Sequence, residues 1–133
     1  MLKTLTNKFS SEVIFTITLP GQAIVNIEPL ADCTNLMVLN LSENSIENIG
    51  SLKILNKLRI VDLSLNSIVN VDALANAVEL VNLNLEGNLI KGIEQIRALK
   101  TCENLKNLHL QTLDGVNQNP ICGLSNYRRN ICD

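Results

Sequence analysis

Apolar residues recur along this chain at a fixed spacing. The pattern apolar-x-x-apolar-x-apolar starts at Ile14, Leu36, Leu58 and Leu80, which define a 22-residue period, and a fifth start at Leu105 follows a slightly longer unit. Apolar and polar residues alternate at the start of each unit, which predicts a short β-strand with one buried face. A repeat of this length is typical of a solenoid, because each coil can bury its apolar side chains only against its neighbours.

An amide side chain follows each predicted strand, at Gln22 and then at four asparagines. Asparagine both donates and accepts hydrogen bonds, so it can replace backbone bonds that are lost where the chain turns out of the strand. We therefore predict a structural asparagine ladder of Asn44, Asn66, Asn88 and Asn119. Apolar residues in the returning half keep three-residue intervals, which favours 3₁₀ structure. The longer fourth unit has room for a true helix over EQIRALKTCENL.

Units such as LMVLNLSENSIENIGSLKILNK resemble the leucine-rich-repeat consensus LxxLxLxxNxIxxIxxLxxLxx. The 22-residue length is similar to the subclass that includes the regulatory subunit of protein phosphatase 1, an axonemal dynein light chain and the U2 A′ splicing protein. The opening LKTLTNKFSSEVIFTITLPG and the closing TCENLKNLHLQTLDGVNQNPICGLSNYRR resemble the group of leucine-rich-repeat-containing protein 61. An insertion from Gln111 to Gln118, followed by NPIC, carries most of that second resemblance. The family relation implies protein binding and supplies no reaction.

The predicted fold class is an α/β solenoid. It is a right-handed leucine-rich-repeat horseshoe with a parallel β-sheet on its concave face and irregular or 3₁₀ returns on its convex face. Residues 1–13 are expected to form an N-terminal helical cap, since an end coil cannot bury its own edge. The five repeats should occupy 14–35, 36–57, 58–79, 80–104 and 105–122. Residues 123–133 resemble the start of a truncated C-terminal cap, which would leave apolar surface exposed near Leu108, Ile121 and Leu124.

Composition narrows the classes of partner. The chain is 46% hydrophobic but only 2% aromatic, so Leu, Ile and Val must fill the core almost alone. Its net charge of −2, without long runs of like charge, argues against nucleic-acid binding and against a polybasic membrane site. No segment approaches the ~20 apolar residues of a membrane span, and the first residues lack the apolar region of a signal peptide. We therefore predict a cytoplasmic protein.

Candidate chemistry is sparse. Cys33 and Cys122 fall at apolar slots and are interpreted as reduced core thiols, whereas the environments of Cys102 and Cys132 stay open. His109 is the sole histidine, and no second metal ligand lies at a suitable spacing. In the predicted repeat geometry its neighbour on the next strand is the amide of Asn84. The sequence shows no converging carboxylates, no serine with a base and no glycine-rich phosphate loop. It predicts no catalysis, no metal, no cofactor and no small-molecule substrate.

The outward side chains of the strands form the candidate binding site. Val38 and Ile60 would place adjacent apolar groups on the sheet face beside a polar margin, which is typical of a protein interface. Strand propensity alone is the alternative reason for these β-branched residues. The outward residues are expected to have little structural role, since inward Leu and Ile fill the core. The predicted partner-binding set is Met37, Val38, Asn40, Arg59, Ile60, Asp62, Val81, Asn82, Asn84, Asn107 and His109.

The function predicted from the sequence is a non-catalytic protein-protein interaction scaffold that binds another protein through the concave sheet face. Two alternatives are a structural subunit of a ciliary or cytoskeletal complex and a regulatory subunit of a phosphatase. Both alternatives rest on resemblance alone, which is a fold-level analogy.

Overall fold

A computed structural model of the 133-residue chain describes residues 11–111 and 118–123. Five short strands form one parallel sheet in chain order. Each strand has an apolar central residue that points inward, between two outward residues. The strands are β1 (Thr16–Thr18), β2 (Val38–Asn40), β3 (Ile60–Asp62), β4 (Asn82–Asn84) and β5 (Asn107–His109).

The register of the sheet reproduces the spacing of the repeat. Thr16 pairs with Val38, Val38 with Ile60, and Ile60 with Asn82, so each of these steps is one 22-residue unit. The last step, from Asn82 to Asn107, spans the longer fourth unit. Equivalent residues of successive units therefore stand side by side, and a column in the sequence becomes a column on the sheet.

The returning half of each coil is a short 3₁₀ helix. The longest, Ile93–Thr101, has nine residues and is also 3₁₀, so the true helix considered for this unit is wrong. Ile96 and Leu99 are its buried residues, and the buried Cys102 follows directly after it. The three lie three residues apart, so they stack along one side of a helix with three residues per turn. The other 3₁₀ segments are Ser11–Val13, Glu28–Asp32, Gly50–Ile54, Asp72–Leu74 and Pro120–Gly123.

The core is a row of stacked aliphatic side chains between the sheet and the returns. Leu36, Leu58 and Leu80, which begin successive units, are each 0% exposed. The predicted fold class, a solenoid with a parallel sheet on one side and 3₁₀ returns on the other, is confirmed. Within residues 11–111 and 118–123, no helix combines the length and apolar composition that crossing a membrane requires.

The ends of the solenoid are described in part. Of the predicted N-terminal cap, residues 11–13 form a 3₁₀ turn, and residues 1–10 lie outside the described part. The expectation that Ile121 is exposed is wrong: it is 1% exposed, and its N–H donates to the Ile90 carbonyl at 2.8 Å. Leu108 is half-buried, and Leu124 lies outside the described residues.

The cysteines occupy three kinds of position. Cys33 is fully buried, as predicted. Its burial, and to a smaller extent the nearby Asp32 carboxylate, raise the pKa of its thiol. Cys102 is also buried, and burial raises its pKa. Cys122 is a free thiol that packs against the core and is half-buried, next to the fully buried Ile121, so its predicted core position holds at the edge of the core. Cys132 lies outside the described residues.

Candidate functional site

A ladder of buried asparagines holds the strand exits in place. The Oδ1 atom of Asn88 accepts a hydrogen bond from the Ile68 N–H at 3.0 Å. Its Nδ2 donates to the carbonyls of Leu63 at 2.8 Å and Leu85 at 3.1 Å. Each asparagine thus ties its own coil to the preceding one. The same arrangement recurs at Asn44, Asn66 and Asn119.

Neighbouring rungs of the ladder share acceptors. The Leu63 carbonyl accepts from both Asn66 and Asn88, and the Leu85 carbonyl accepts from both Asn88 and Asn119. This zigzag of bonds links the coils continuously along the edge of the sheet. Gln22 does not continue it, because its side chain is exposed and donates to the Pro20 carbonyl at 3.1 Å.

The outer surface of the sheet, called the sheet face below, carries a shallow apolar depression of ≈ 230 Å³. It extends over β2, β3 and β4, because the register brings equivalent residues of three coils together. Ile60 in its centre is 46% exposed, and Val38 beside it is half-buried. The lining consists of six residues of the predicted partner-binding set: Met37, Val38, Arg59, Ile60, Val81 and Asn82.

The polar margin beside the depression also has a structural role. In Asn40, the side-chain Oδ1 accepts the N–H of the residue two positions on, at 3.0 Å, and Asp62 and Asn84 do the same at 3.0 Å each. The expectation of a slight structural role is therefore wrong for these three residues. The reason is local, since each three-residue strand ends there and a short polar side chain supplies the acceptor for the turn.

Asp62 combines this turn with a charge. Its Oδ1 accepts both the N–H of Ser64 at 3.0 Å and the Ser64 hydroxyl at 2.7 Å. No described residue donates to its Oδ2. The half-buried carboxylate is thus held in one orientation and can still accept a hydrogen bond from a partner.

Two side-chain pairs lie at the β5 end of the sheet face. The Nδ2 of Asn107 donates to the Oδ1 of Asn82, which joins two predicted site residues. The Nδ1 of His109 lies 3.9 Å from Glu86 Oε1, a partner that was not predicted from the sequence. The strand register indicates that Glu86 and His109 are close, since Asn84 pairs with His109 and Glu86 follows Asn84 by two residues. His109 therefore has a carboxylate neighbour as well as an amide.

Charges are segregated across the sheet face. Arg59 and Lys106 directly precede β3 and β5 and are exposed. Asp62 ends β3, and Glu86 lies two residues after β4. The strands are parallel, so their beginnings share one edge and their ends share the other. Arg59 and Lys106 therefore lie along one edge, which they share with the apolar Met37 and Val81, and Asp62 and Glu86 lie along the other. These two pairs are called the basic and the acidic margin below.

The sheet face offers apolar contact, hydrogen bonds and ion pairing. In the part of the chain that the structure describes, no group of three or more His, Cys, Asp or Glu residues is placed to hold a metal ion. Two larger open depressions, of ≈ 510 and ≈ 520 Å³, lie on the return side and share Asn48 and Gly50. Both are lined by 3₁₀ segments and the loops before them, and neither shares a residue with the depression on the sheet face.

Solved structures with the same architecture include two internalins of Listeria monocytogenes. One, InlF, is 27% identical with a TM-score of 0.74, over 84% of this chain and 34% of that chain. The other, InlC2, is 28% identical with a TM-score of 0.69, over 91% of this chain and 54% of that chain. This chain thus spans less than two thirds of the length of either internalin.

A third similar structure is the SNF/U2A′ complex of Drosophila melanogaster. It matches with 24% identity and a TM-score of 0.74, over 88% of this chain and 66% of that chain, and this likeness shows the fold. No family model matches the sequence. Together, the three structures show that the chain has the leucine-rich-repeat fold. The 22-residue subclass and the group of leucine-rich-repeat-containing protein 61 stay predictions.

Proposed function

We propose that this chain is a non-catalytic protein-protein interaction module that binds another protein through its sheet face. The observation that carries the proposal is the apolar depression around Ile60, whose side chain is 46% exposed. Inward residues such as Val61, 1% exposed, already fill the core, so the outward residues are available for a partner. An apolar centre with a polar rim is the usual anatomy of a protein interface.

Strand propensity is a weaker explanation of this surface. It accounts for β-branched residues within the strands, such as Val38 and Ile60. It does not account for Met37 and Val81, which line the same depression from positions before β2 and β4. An interface accounts for all four residues together.

The proposed partner is a protein rather than a nucleic acid or a membrane. With a net charge of −2, the chain lacks the excess of Lys and Arg that displaces counterions from a phosphate backbone or binds an anionic lipid surface. Only Arg59 adds a positive charge to the lining of the depression. We place the module in the cytoplasm, where buried thiols such as Cys33 stay reduced. The cytoskeletal-subunit and phosphatase-regulator alternatives stay predictions from resemblance.

The proposal is tested by affinity capture from source cells with three forms of the chain. These are the wild type, the sheet-face variant Val38→Glu with Ile60→Glu, and a control with Ile54→Glu and Val69→Glu. The control replaces the same residue types on the return side, where Ile54 is 57% and Val69 is 43% exposed. Circular dichroism establishes first that all three forms are folded.

We expect the wild type and the control to capture the same proteins and the sheet-face variant to lose them. A carboxylate placed in an apolar contact loses its hydration without gaining a partner, which removes the affinity. Capture of the same proteins by the sheet-face variant would show that the partner binds elsewhere and would refute the proposal.

A further inference from the structure

We infer that the partner element received by the sheet face is an amphipathic α-helix lying across the strands. Its acidic side chains face the basic margin, and its basic side chains face the acidic margin. This inference rests on the proposed function, since it names the partner of the same site. It is carried by three properties of the face: the spacing of the coils, the width between the charged margins, and the sign of each margin.

The spacing of the coils suits a helix. Adjacent strands lie about 4.8 Å apart, and an α-helix advances about 5.4 Å per turn. Side chains three or four residues apart on such a helix lie about 4.5 or 6.0 Å apart along its axis, which brackets the strand spacing, so they reach successive coils such as those of Val38 and Ile60. An extended segment in the same direction places same-side residues about 6.7 Å apart. This spacing exceeds the distance between strands, so the side chains lose their alignment with the coils after one strand. The depression extends over three strands, so about two helical turns would cover it.

The width of the face also suits a helix. Arg59 and Asp62 are three residues apart along β3, which corresponds to roughly 10 Å in a strand. That distance is close to the diameter of about 10–12 Å of an α-helix with its side chains. Ile60 lies between the two charged residues, where it can contact the apolar stripe of the helix.

The signs of the margins fix the orientation of the helix. Arg59 and Lys106 are exposed along the edge where strands begin, so the flank above them carries Asp or Glu. Asp62 and Glu86 lie along the edge where strands end, and Glu86 already lies 3.9 Å from His109, so Asp62 is the carboxylate that a Lys or Arg of the opposite flank reaches. The Oδ2 of Asp62 receives no hydrogen bond from any described residue and can accept one from that flank. Opposite charges on the two flanks thus select one direction of the helix.

Other occupants fit the face less well. A second copy of the described residues offers short strands and 3₁₀ segments rather than an α-helix. The described part of the chain contains 3₁₀ returns and no α-helix, so it does not supply the element itself. A separate protein with an exposed amphipathic helix fits both the shape and the charges.

The test uses the full chain and two display libraries. One library presents randomised positions on the outer face of a helical hairpin, and the other presents random linear peptides with equally many randomised positions. Each library is selected on the wild type, and the binders are then tested on Val38→Glu with Ile60→Glu. A charge variant, Arg59→Glu with Lys106→Glu, is compared with Lys53→Glu and Lys91→Glu, which make the same charge change away from the sheet face.

We expect binders from the helical library that depend on Val38 and Ile60 and carry acids on one flank and bases on the other. Their affinity should fall about tenfold on the charge variant, since like charges then oppose each other, and stay unchanged on the control. Exchanging the acids of a binder for lysines should restore its affinity for the charge variant.

Two results would overturn the inference, and they differ in what they leave standing. Sheet-face-dependent binders that come only from the linear library, or that lack segregated charges, refute the helix and leave the proposed function intact. Binders from either library that ignore Val38→Glu with Ile60→Glu refute both.

Discussion

Removing one rung of the asparagine ladder should destabilise the whole solenoid. In Asn88→Ala, the Ile68 N–H loses its bond of 3.0 Å to Asn88 Oδ1. The carbonyls of Leu63 and Leu85 each keep one of two donors, from Asn66 and Asn119. The Glu86 carbonyl also loses a longer bond of 3.3 Å but keeps the Leu65 N–H at 2.7 Å. The damage is therefore concentrated on one buried N–H and on the weakening of two carbonyls.

The magnitude follows from these three groups. An unpaired buried N–H costs about 1–3 kcal/mol, and each lost carbonyl bond about 0.5–1.5 kcal/mol. The free energy of unfolding should fall by roughly 2–6 kcal/mol, a large part of the 5–15 kcal/mol typical of a domain. Asn48→Ala is the matched control, since it removes the same atoms but frees only the exposed Gly50 N–H, bonded at 2.7 Å. The control should cost about 0.5 kcal/mol or less.

Urea unfolding followed by circular dichroism measures both free energies. Amide hydrogen exchange adds a local readout, since the Ile68 amide should exchange faster in Asn88→Ala and as in the wild type in Asn48→Ala. Equal unfolding midpoints for the two variants would refute the reasoning, because the ladder would then contribute no more than a surface turn.

Further predictions concern strain, the polar margin and the thiols. Leu65 has a φ of 57°, in the left-handed region that Asn tolerates better than Leu. Leu65→Asn should therefore stabilise the chain by about 0.5–1 kcal/mol and raise its urea midpoint. A lower midpoint would contradict backbone strain at this position. Asp62→Ala removes the two hydrogen bonds from Ser64 and should lower the free energy of unfolding by about 1–2 kcal/mol in urea titrations. Asp62→Asn keeps an acceptor oxygen and should cost less. Equal losses in the two variants would argue against a contribution from these bonds. Burial raises the pKa of the Cys33 and Cys102 thiols, so these thiols ionise at lower pH in the unfolded chain than in the folded one. The free energy of unfolding should therefore fall as pH rises above 9.0. Urea titrations at several pH values should show a flatter slope when both cysteines are replaced with Ala.

The repeat spacing made the sheet predictable. A 22-residue period with inward Leu39 and Val61 leaves one register in which every apolar slot is buried, and β2 pairs with β3 in that register. A slip by one residue would turn both side chains outward, so the hydrophobic pattern alone selects the alignment. The depression around Ile60 follows from the same columns.

Features that depend on local geometry were harder to predict. Apolar residues three or four apart suit a 3₁₀ or an α-helix, so the state of Ile93–Thr101 depends on stacking against the return before it. The turns at Asn40 and Asp62 depend on where each strand ends, which the pattern gives only within a few residues. The contact between His109 and Glu86 needs side-chain conformations as well as register.

Methyl NMR of the labelled chain, titrated with a captured protein, tests most directly that the sheet face is the binding site. Binding through the sheet face predicts that the methyl signals of Ile60 and Val38 shift or broaden. Those of Ile54 and Val69, exposed on the return side, should stay in place. Shifts confined to Ile54 and Val69 would contradict the proposal and would place the partner on the return side.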